Sequence, residues 1–199
     1  MSDISQTDLA FWLQSQKASS PLEMIVCGLA SSCVHIDTAV QAAALGGTNG
    51  ASGTINVQGE EQKELDIITN DIVLAHLDGF NQIAAFVSEE IEDLIVNQNA
   101  DQGAKYVICF DPLDGSSNIE TNGAIGTIFS ILELDQARSD ICAADVLAAA
   151  NNQIAAGYVI YGPATILVVT TGKSVASFVL DKQAGQFVAE KTGLEIIPA

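Results

Sequence analysis

Apolar residues recur at helical spacing in the first half of the chain. The signals Ser20-Pro21-Leu22-Glu23 predict the start of a long helix. Ser20 can cap it, Pro21 suits the first helical position, and Glu23 completes a capping box. Its apolar face is formed by Leu22, Ile25, Val26, Leu29, Cys33, Ile36 and Val40, and Gly46-Gly47 ends it. A second helix is predicted from Glu60 to about Leu77, with Leu65, Ile68, Ile72 and Val73 on one face.

The second half of the chain has the pattern of strands. Ile83–Val87 and the segment from Tyr106 to Phe110 are apolar and predict buried strands. The segment from Gly126 to Leu134 predicts another, and a helix over 141–150 is ambiguous. A meander follows over Ile154–Tyr161, Ile166–Thr171, Val175–Leu180 and Gln186–Ala189. Strands joined this directly are antiparallel.

These elements predict an α+β fold in which helices pack against a mostly antiparallel sheet. We expect an N-terminal segment at 1–19 and one α+β domain over 20–199. The stretch from Gly46 to Gly59 predicts a loop rich in Gly, Ser, Thr and Asn. Two interpretations of it stay open, a flexible linker and a lid over a site.

Composition excludes several classes of protein. The chain has 199 residues, 48% of them hydrophobic, and a net charge of −18. Nucleic acid is not an expected partner, because a phosphate backbone requires a basic surface. The four cysteines lack metal-site spacing and have apolar neighbours, which indicates buried free thiols in a reducing compartment. With no signal-peptide pattern, and Ile154–Thr171 broken by glycines and a proline, we expect a cytoplasmic protein that does not enter a membrane.

Carboxylates follow the buried strands. Asp111 and Asp114 lie in Asp-Pro-Leu-Asp after one strand, and Glu89 and Glu90 follow another. We expect these four acids to lie within a few ångströms of each other, because two strands that end side by side would bring them together. Converging carboxylate oxygens bind hard cations such as Mg²⁺, and the Gly-Ser-Ser that follows Asp114 offers N–H groups and hydroxyls to a phosphate. The alternatives are a polar turn that caps its own backbone and a solvated Glu pair. Asp66, at the edge of a helical apolar stripe, is either a cleft carboxylate or a local partner of Lys63.

The sequence from Phe110 to Asn118, followed by Ile125-Gly126-Thr127-Ile128-Phe129, resembles the signature of class I fructose-1,6-bisphosphatases. Its shorter core, Asp-Pro-x-Asp-Gly-Ser, is similar to that of the wider metal-dependent sugar and inositol phosphatases. Three further segments agree in order and spacing: Gly59 to Asp66, Ser88-Glu89-Glu90, and Ala155 to Gly162. The resemblance runs from the first long helix to the last residue.

The resemblance implies a phosphatase that removes the 1-phosphate of fructose 1,6-bisphosphate with two or more Mg²⁺ ions, or with Mn²⁺. It also implies the first domain of a two-domain fold, and a homotetramer. The roles it implies are Glu89, Asp111, the Leu113 carbonyl and Asp114 as metal ligands; Asp114, Gly115, Ser116 and Ser117 around the phosphate; Asp66 and Glu90 on the attacking water; and Glu60 as a lid carboxylate.

Three departures from the family pattern limit these expectations. The family's remaining sugar contacts and a further metal-binding Glu fall beyond residue 199, so the chain alone is expected to be inactive or a metal-binding regulatory module. Lys105-Tyr106 matches a nucleotide-contacting pair of AMP-inhibited members, but Glu133 stands where those members have Arg. The run from Glu120 to Ala124 favours relatives that accept sedoheptulose bisphosphate.

Overall fold

A computed structural model describes residues 8–46, 51–55, 61–137 and 140–195. It has four α-helices, ten strands and one 3₁₀ helix in these ranges. The helices are α1 (Leu9–Ser15), α2 (Ser20–Gly46), α3 (Glu64–Leu77) and α4 (Ala143–Ala149), and the 3₁₀ helix is Ser116–Thr121. The strands are β1 (Ala51–Ile55), β2 (Glu61–Lys63), β3 (Ile83–Ser88), β4 (Ile95–Val96), β5 (Tyr106–Asp114), β6 (Ile125–Glu133), β7 (Gln153–Tyr161), β8 (Ile166–Thr170), β9 (Val175–Asp181) and β10 (Gln186–Thr192).

Eight strands form one sheet in the order β10-β9-β8-β7-β6-β5-β3-β4. Every neighbouring pair in it is antiparallel except β3 and β5, which are parallel. The predicted α+β fold with a mostly antiparallel sheet is therefore confirmed. The meander was located correctly, and its strands β7 to β10 begin and end close to the predicted residues.

The larger core lies between one face of this sheet and helices α1, α2 and α3. Ile25, Leu29 and Ile36 of α2 are fully buried there, together with Phe178 of β9. Helix α1 contributes Trp12 to the same core, within the segment that we separated at 1–19. That domain boundary stays a prediction.

The opposite face of the sheet is only partly covered. Helix α4 closes one end of it over a small core that includes Val107 and Leu132. Further along, Ile128 of β6 and Tyr158 and Ile160 of β7 are between 42% and 47% exposed. One layer of helices thus covers one face, while apolar side chains of β6 and β7 remain accessible on the other.

Helix α2 begins at Ser20, which we had predicted to be the capping residue before the helix. Ser19, not Ser20, precedes the helix, and its Oγ accepts a hydrogen bond from the Leu22 N–H at 3.4 Å. With Ser19 as the cap, Glu23 is one position beyond the N3 position of a capping box. Its carboxylate instead accepts a hydrogen bond from the Gln14 side chain at 2.8 Å. Pro21 still suits the first turn, where its missing N–H costs nothing.

Among the described residues, α2 is the one helix whose length and composition would allow it to cross a membrane, over Ser20–Ala43. A core helix of a soluble protein satisfies the same criterion. Half of the stretch is buried inside the fold. Asp37 lies in this stretch, 5% exposed, and its carboxylate binds Lys182 Nζ at 2.9 Å and accepts a hydrogen bond from Thr165. This buried polar contact ties α2 to the meander.

The predicted loop at 46–59 and the predicted start of the second helix at Glu60 are both wrong. Ala51–Ile55 and Glu61–Lys63 pair as the antiparallel strands β1 and β2, and α3 begins only at Glu64. Thr54 and Ile55 are β-branched and suit a strand. Strand pairing of this kind depends on contact between two segments of the chain. The spacing of apolar residues within one segment does not indicate it. Residues 47–50 and 56–60 lie outside the described part of the chain.

Strand β5 continues further than predicted. We placed a turn after Phe110, but pairing with β6 extends to Asp114. Asp111 pairs with Ile128 and Asp114 with Gly126, so three steps on β5 correspond to two on β6. This is a β-bulge at Pro112-Leu113. Pro112, which has no N–H to offer a neighbouring strand, is tolerated at such a bulge.

Candidate active site

The parallel strands β3 and β5 deliver acidic residues to one edge of the sheet. Ser88 at the end of β3 pairs with Phe110, and the Glu89 N–H donates to the Phe110 carbonyl at 3.0 Å. Glu89 is thus held beside Asp111, although 22 positions separate them in the chain. The predicted side-by-side arrangement of two strand ends is what the fold produces.

Three of the predicted site carboxylates converge. One oxygen each of Glu89, Glu90 and Asp111 lies within 4.8 Å of the others, and all three residues are half-buried. We call these three residues the carboxylate cluster. The distance is suited to a shared cation, because oxygen ligands surround Mg²⁺ at about 2.0–2.1 Å. Asp114 was expected at the same short range but lies outside the cluster and is exposed.

The cluster is electrostatically unfavourable without a cation. Burial, followed by the nearby Asp66 and Glu89, raises the pKa of Glu90 to about 8. Burial also raises the pKa of Asp111 to about 6, with Glu89, Asp114 and Asp66 adding to the rise and the Leu113 N–H opposing it. Like charges at this range and partial burial both disfavour the ionised form. The donor set therefore fits a divalent cation, which would restore the charge balance.

The bulge of β5 fixes the orientation of Asp111. Its Oδ1 accepts a hydrogen bond from the Leu113 N–H at 3.0 Å, while the Leu113 side chain is 2% exposed and anchored in the larger core. Gly115 follows with φ +77°, a left-handed conformation that glycine adopts without penalty, and leads into the 3₁₀ helix. Ser116 and Ser117 thus form a helix start, where N–H groups lack partners within the helix.

Asp66 joins the site from the other side. It lies in the first turn of α3, is 3% exposed, and acts on the charges of both Glu90 and Asp111. We expected a carboxylate at the edge of an apolar stripe, and the structure buries it against the cluster. The side chain of Lys63, its alternative partner, lies outside the described part of the structure, as does Glu60.

Sequence reasoning missed a pair that holds α3 to β3. Ser88 Oγ donates to Asn70 Oδ1 at 2.7 Å and accepts from the Glu90 N–H at 3.2 Å. Both side chains are almost fully buried. Asn70 lies four residues after Asp66 and therefore on the same helix face. That spacing was the available signal, and it connects the helix carrying Asp66 to the turn carrying Glu90.

The Glu133 that departs from the family pattern has a partner. It forms an ion pair with Lys105, whose Nζ also lies 5.8 Å from the ring centre of Tyr106. The pair raises the pKa of Lys105. A lysine whose positive charge is balanced by Glu133 is less available to an anionic nucleotide.

A group of carboxylates that could hold a cation lies close to a Gly-Ser-Ser turn, which is the arrangement expected of the class of metal-dependent phosphatases. Residues 4–192 match the profile of the fructose-1,6-bisphosphatase N-terminal domain. The chain belongs to the fructose-1,6-bisphosphatase family, and the resemblance inferred from its motifs is confirmed.

Its relatives include class 1 fructose-1,6-bisphosphatases of Shewanella halifaxensis, 43% identical over 188 residues, and of Acinetobacter baumannii, 39% identical over 195. These matches cover 94% and 97% of the chain but 56% and 59% of the relatives. The holo-form crystal structure of Leishmania major fructose-1,6-bisphosphatase is similar with a TM-score of 0.87 and 29% identity, over 96% of this chain and 60% of that one. The chain thus spans somewhat more than half the length of these proteins.

Proposed function

We propose that the complete protein hydrolyses the 1-phosphate of fructose 1,6-bisphosphate, giving fructose 6-phosphate and phosphate. The observation that carries this proposal is the convergence of Glu89, Glu90 and Asp111 within 4.8 Å at the ends of β3 and β5. Membership of the family supports the substrate class. The chain alone is proposed to be inactive, because its relatives supply further length that it does not contain.

Glu89 and Asp111 would hold the divalent ions, with the Leu113 carbonyl and Asp114 completing the ligand set. We propose Mg²⁺, with Mn²⁺ as a substitute, because the donors are hard oxygens. Bound there, such ions lower the pKa of a water and offset charge on the transferring phosphoryl group. Asp114 is exposed and raises the pKa of Asp111, so its carboxylate is within electrostatic range of the cluster.

Glu90 and Asp66 are proposed to orient the attacking water and accept its proton. The pKa of Glu90, raised to about 8, means that its carboxyl holds a proton near neutral pH while no cation is present. A nearby positive charge favours the ionised form, which is the form that can act as a base. Asp66, buried on α3, fixes the second side of that water position.

Gly115, Ser116 and Ser117 are proposed to hold the scissile phosphate beside Asp114. The left-handed Gly115 turns the chain so that the first N–H groups of the 3₁₀ helix follow directly after Asp114. Such successive N–H groups form a concavity that accepts anions. Holding the phosphate in a fixed position supplies much of the catalysis in phosphoryl transfer.

A cytoplasmic location and a homotetramer complete the proposal. All four cysteines are free thiols, which suits a reducing compartment, although Cys142 is exposed and not buried as we predicted. The Lys105–Glu133 ion pair supports a protein that AMP inhibits weakly or not at all. Light scattering on the complete protein measures the assembly, and phosphate release with added AMP measures the inhibition.

The test is phosphate release from three substrates by the chain extended with the part of a relative that lies beyond the matched region. Fructose 1,6-bisphosphate is expected to turn over fastest in the presence of Mg²⁺. Preference for sedoheptulose 1,7-bisphosphate would reassign the substrate within the family. Faster hydrolysis of inositol monophosphate would contradict the proposal.

An assay of the 199-residue chain by itself distinguishes an active enzyme from a metal-binding module. We expect no Mg²⁺-dependent phosphate release from it. Release that Asp114→Ala abolishes and that Glu92→Gln leaves unchanged would show the opposite. Glu92 is a matched control because it is an exposed acid like Asp114, follows Glu89 and Glu90 in the chain, and lies outside the cluster.

A further inference from the structure

The fold brings together the only two histidines of the sequence, which lie 41 positions apart. His35 of α2 and His76 in the last turn of α3 have ring centroids 4.5 Å apart, with the ring planes inclined by 51°. His35 is exposed and His76 is half-buried. The pair is therefore accessible to an ion from solvent. The two rings meet through the packing of α2 against α3 and not through their spacing in the chain.

The hydrogen bonds of the two rings fix their tautomers. Nδ1 of His35 lies 3.0 Å from the Ser31 carbonyl, and Nδ1 of His76 lies 2.8 Å from the Ile72 carbonyl. A carbonyl oxygen can only accept, so each Nδ1 carries the hydrogen. In the neutral ring, Nε2 then has the lone pair. Within the described part of the chain, neither Nε2 has a hydrogen-bond partner.

This is the arrangement of metal-binding histidines, in which one ring nitrogen donates to a backbone carbonyl and the other binds the ion. We propose that His35 and His76 form a second cation site that binds a divalent transition metal such as Zn²⁺ through both Nε2 atoms. Zinc–nitrogen distances of about 2.0–2.1 Å are within reach of rings this close after small side-chain rotations. Water would fill the remaining coordination positions.

The site differs in chemistry from the carboxylate cluster. Imidazole nitrogen favours Zn²⁺, Ni²⁺ and Cu²⁺, whereas carboxylate oxygen suits Mg²⁺. An ion bound to both rings would join α2 to α3 near the end of α3 opposite Asp66. The inference does not depend on the proposed phosphatase activity.

The test uses the untagged chain with ¹⁵N-labelled histidine, since its two imidazoles are then the only labelled rings. We expect Zn²⁺ to shift both Nε2 resonances with one common midpoint. In His35→Gln, the His76 resonance should respond only at about 10²-fold higher Zn²⁺, because one ion no longer binds two linked ligands. His35 is exposed, so this variant is expected to fold.

Two controls separate this site from the carboxylate cluster. Mg²⁺ should leave both imidazoles unshifted, and Asp111→Asn should leave their Zn²⁺ midpoint unchanged. Different midpoints for the two rings, no shift at all, or an unaltered His76 response in His35→Gln would overturn the proposal. The pair would then be a packing contact between two helices.

Discussion

The parallel pair β3–β5 and the antiparallel meander β7–β10 belong to one sheet but differ in what they contribute. The pair ends in the carboxylate cluster, where burial and like charge raise the pKa values of Glu90 and Asp111. The meander turns tightly, as at Gly172 with φ +79°, and buries Phe178 and Leu167 completely. One region holds the acids that we propose to bind a cation, at a cost in stability, and the other stabilises the fold. Substitutions in the two regions should therefore have opposite consequences.

The largest effect is expected from Phe178→Ala in the meander. Phe178 is fully buried and packs edge-on against Trp12, with ring centres 5.7 Å apart. Removing the ring should lower the free energy of unfolding by about 3–5 kcal/mol, measured by denaturant titration. Below the unfolding transition, its affinity for Mg²⁺ should match that of the wild type.

Phe11→Ala is the matched control, since Phe11 is 63% exposed on the neighbouring helix. It should change the free energy of unfolding by no more than about 0.5 kcal/mol. A loss of Mg²⁺ affinity in folded Phe178→Ala would mean that the two regions are coupled.

The second effect concerns Asp111→Asn in the carboxylate cluster. Mg²⁺ at 100 times its dissociation constant should stabilise the wild-type chain by about 2.7 kcal/mol through mass action. Asp111→Asn should lose most of this gain and should be more stable than the wild type without metal, because one repelling charge is gone. Thermal unfolding with and without Mg²⁺ measures both.

Glu92→Gln should keep the full Mg²⁺ response, as an exposed acid outside the cluster. Equal thermal shifts in wild type and Asp111→Asn at the same Mg²⁺ concentration would mean that the cluster does not bind Mg²⁺ and is only a solvated acidic surface. The catalytic assignments of Glu90 and Asp66 would then lose their support.

A smaller effect is expected from pH. The pKa of Glu90 rises from 4.5 to about 8 on folding, so between these values the folded state keeps a proton that the unfolded state has lost. Raising the pH through this window should therefore lower the stability of the metal-free chain. Glu90→Gln should flatten the dependence, and saturating Mg²⁺ should remove it. The opposite outcome is a metal-free chain that becomes more stable between pH 5 and 8, with the same pH dependence in Glu90→Gln. That result would contradict the claim that the folded state raises the pKa of Glu90.

The smallest change in stability is expected on substituting two buried serines, one from each region. Ser88→Ala removes the hydrogen bond to Asn70, and Ser177→Ala in β9 removes one to Glu190 at 3.0 Å. Each should lower the free energy of unfolding by about 1 kcal/mol. Only Ser88→Ala should also weaken Mg²⁺ binding, because Ser88 accepts from the Glu90 N–H. Equal Mg²⁺ affinities in the two variants would show that Ser88 does not position the cluster.

Local patterns predicted the parts of the fold that are local. The meander strands carry their apolar runs and turn residues in sequence order. Glu89 and Glu90 follow directly after β3, and Asp111 lies near the end of β5. The β1–β2 hairpin escaped prediction because its pairing joins segments that each lack a strong pattern. The helix start predicted at Glu60 was wrong because the pairing of β2 with β1 was not considered.

Side-chain partners set by tertiary packing could not be read from the chain. The contacts of Ser88 with Asn70, of Asp37 with Lys182 and of His35 with His76 all depend on how α2 and α3 lie against each other and the sheet. The bulge at Pro112-Leu113 was taken for a turn, because proline and glycine near a strand end favour that interpretation.

The β-bulge at Pro112-Leu113 determines on which face of the sheet Asp111 and Asp114 lie. In a regular strand, residues three apart point to opposite faces, so Asp111 and Asp114 would be divided by the sheet. Their partners Ile128 and Gly126 are two apart on β6, and residues two apart share a face. The single extra residue converts an odd spacing into an even one and returns both acids to the same side. The three-residue spacing of the acids in Asp-Pro-Leu-Asp therefore depends on the bulge: the same spacing in a regular strand would place the two carboxylates on opposite sides of the sheet.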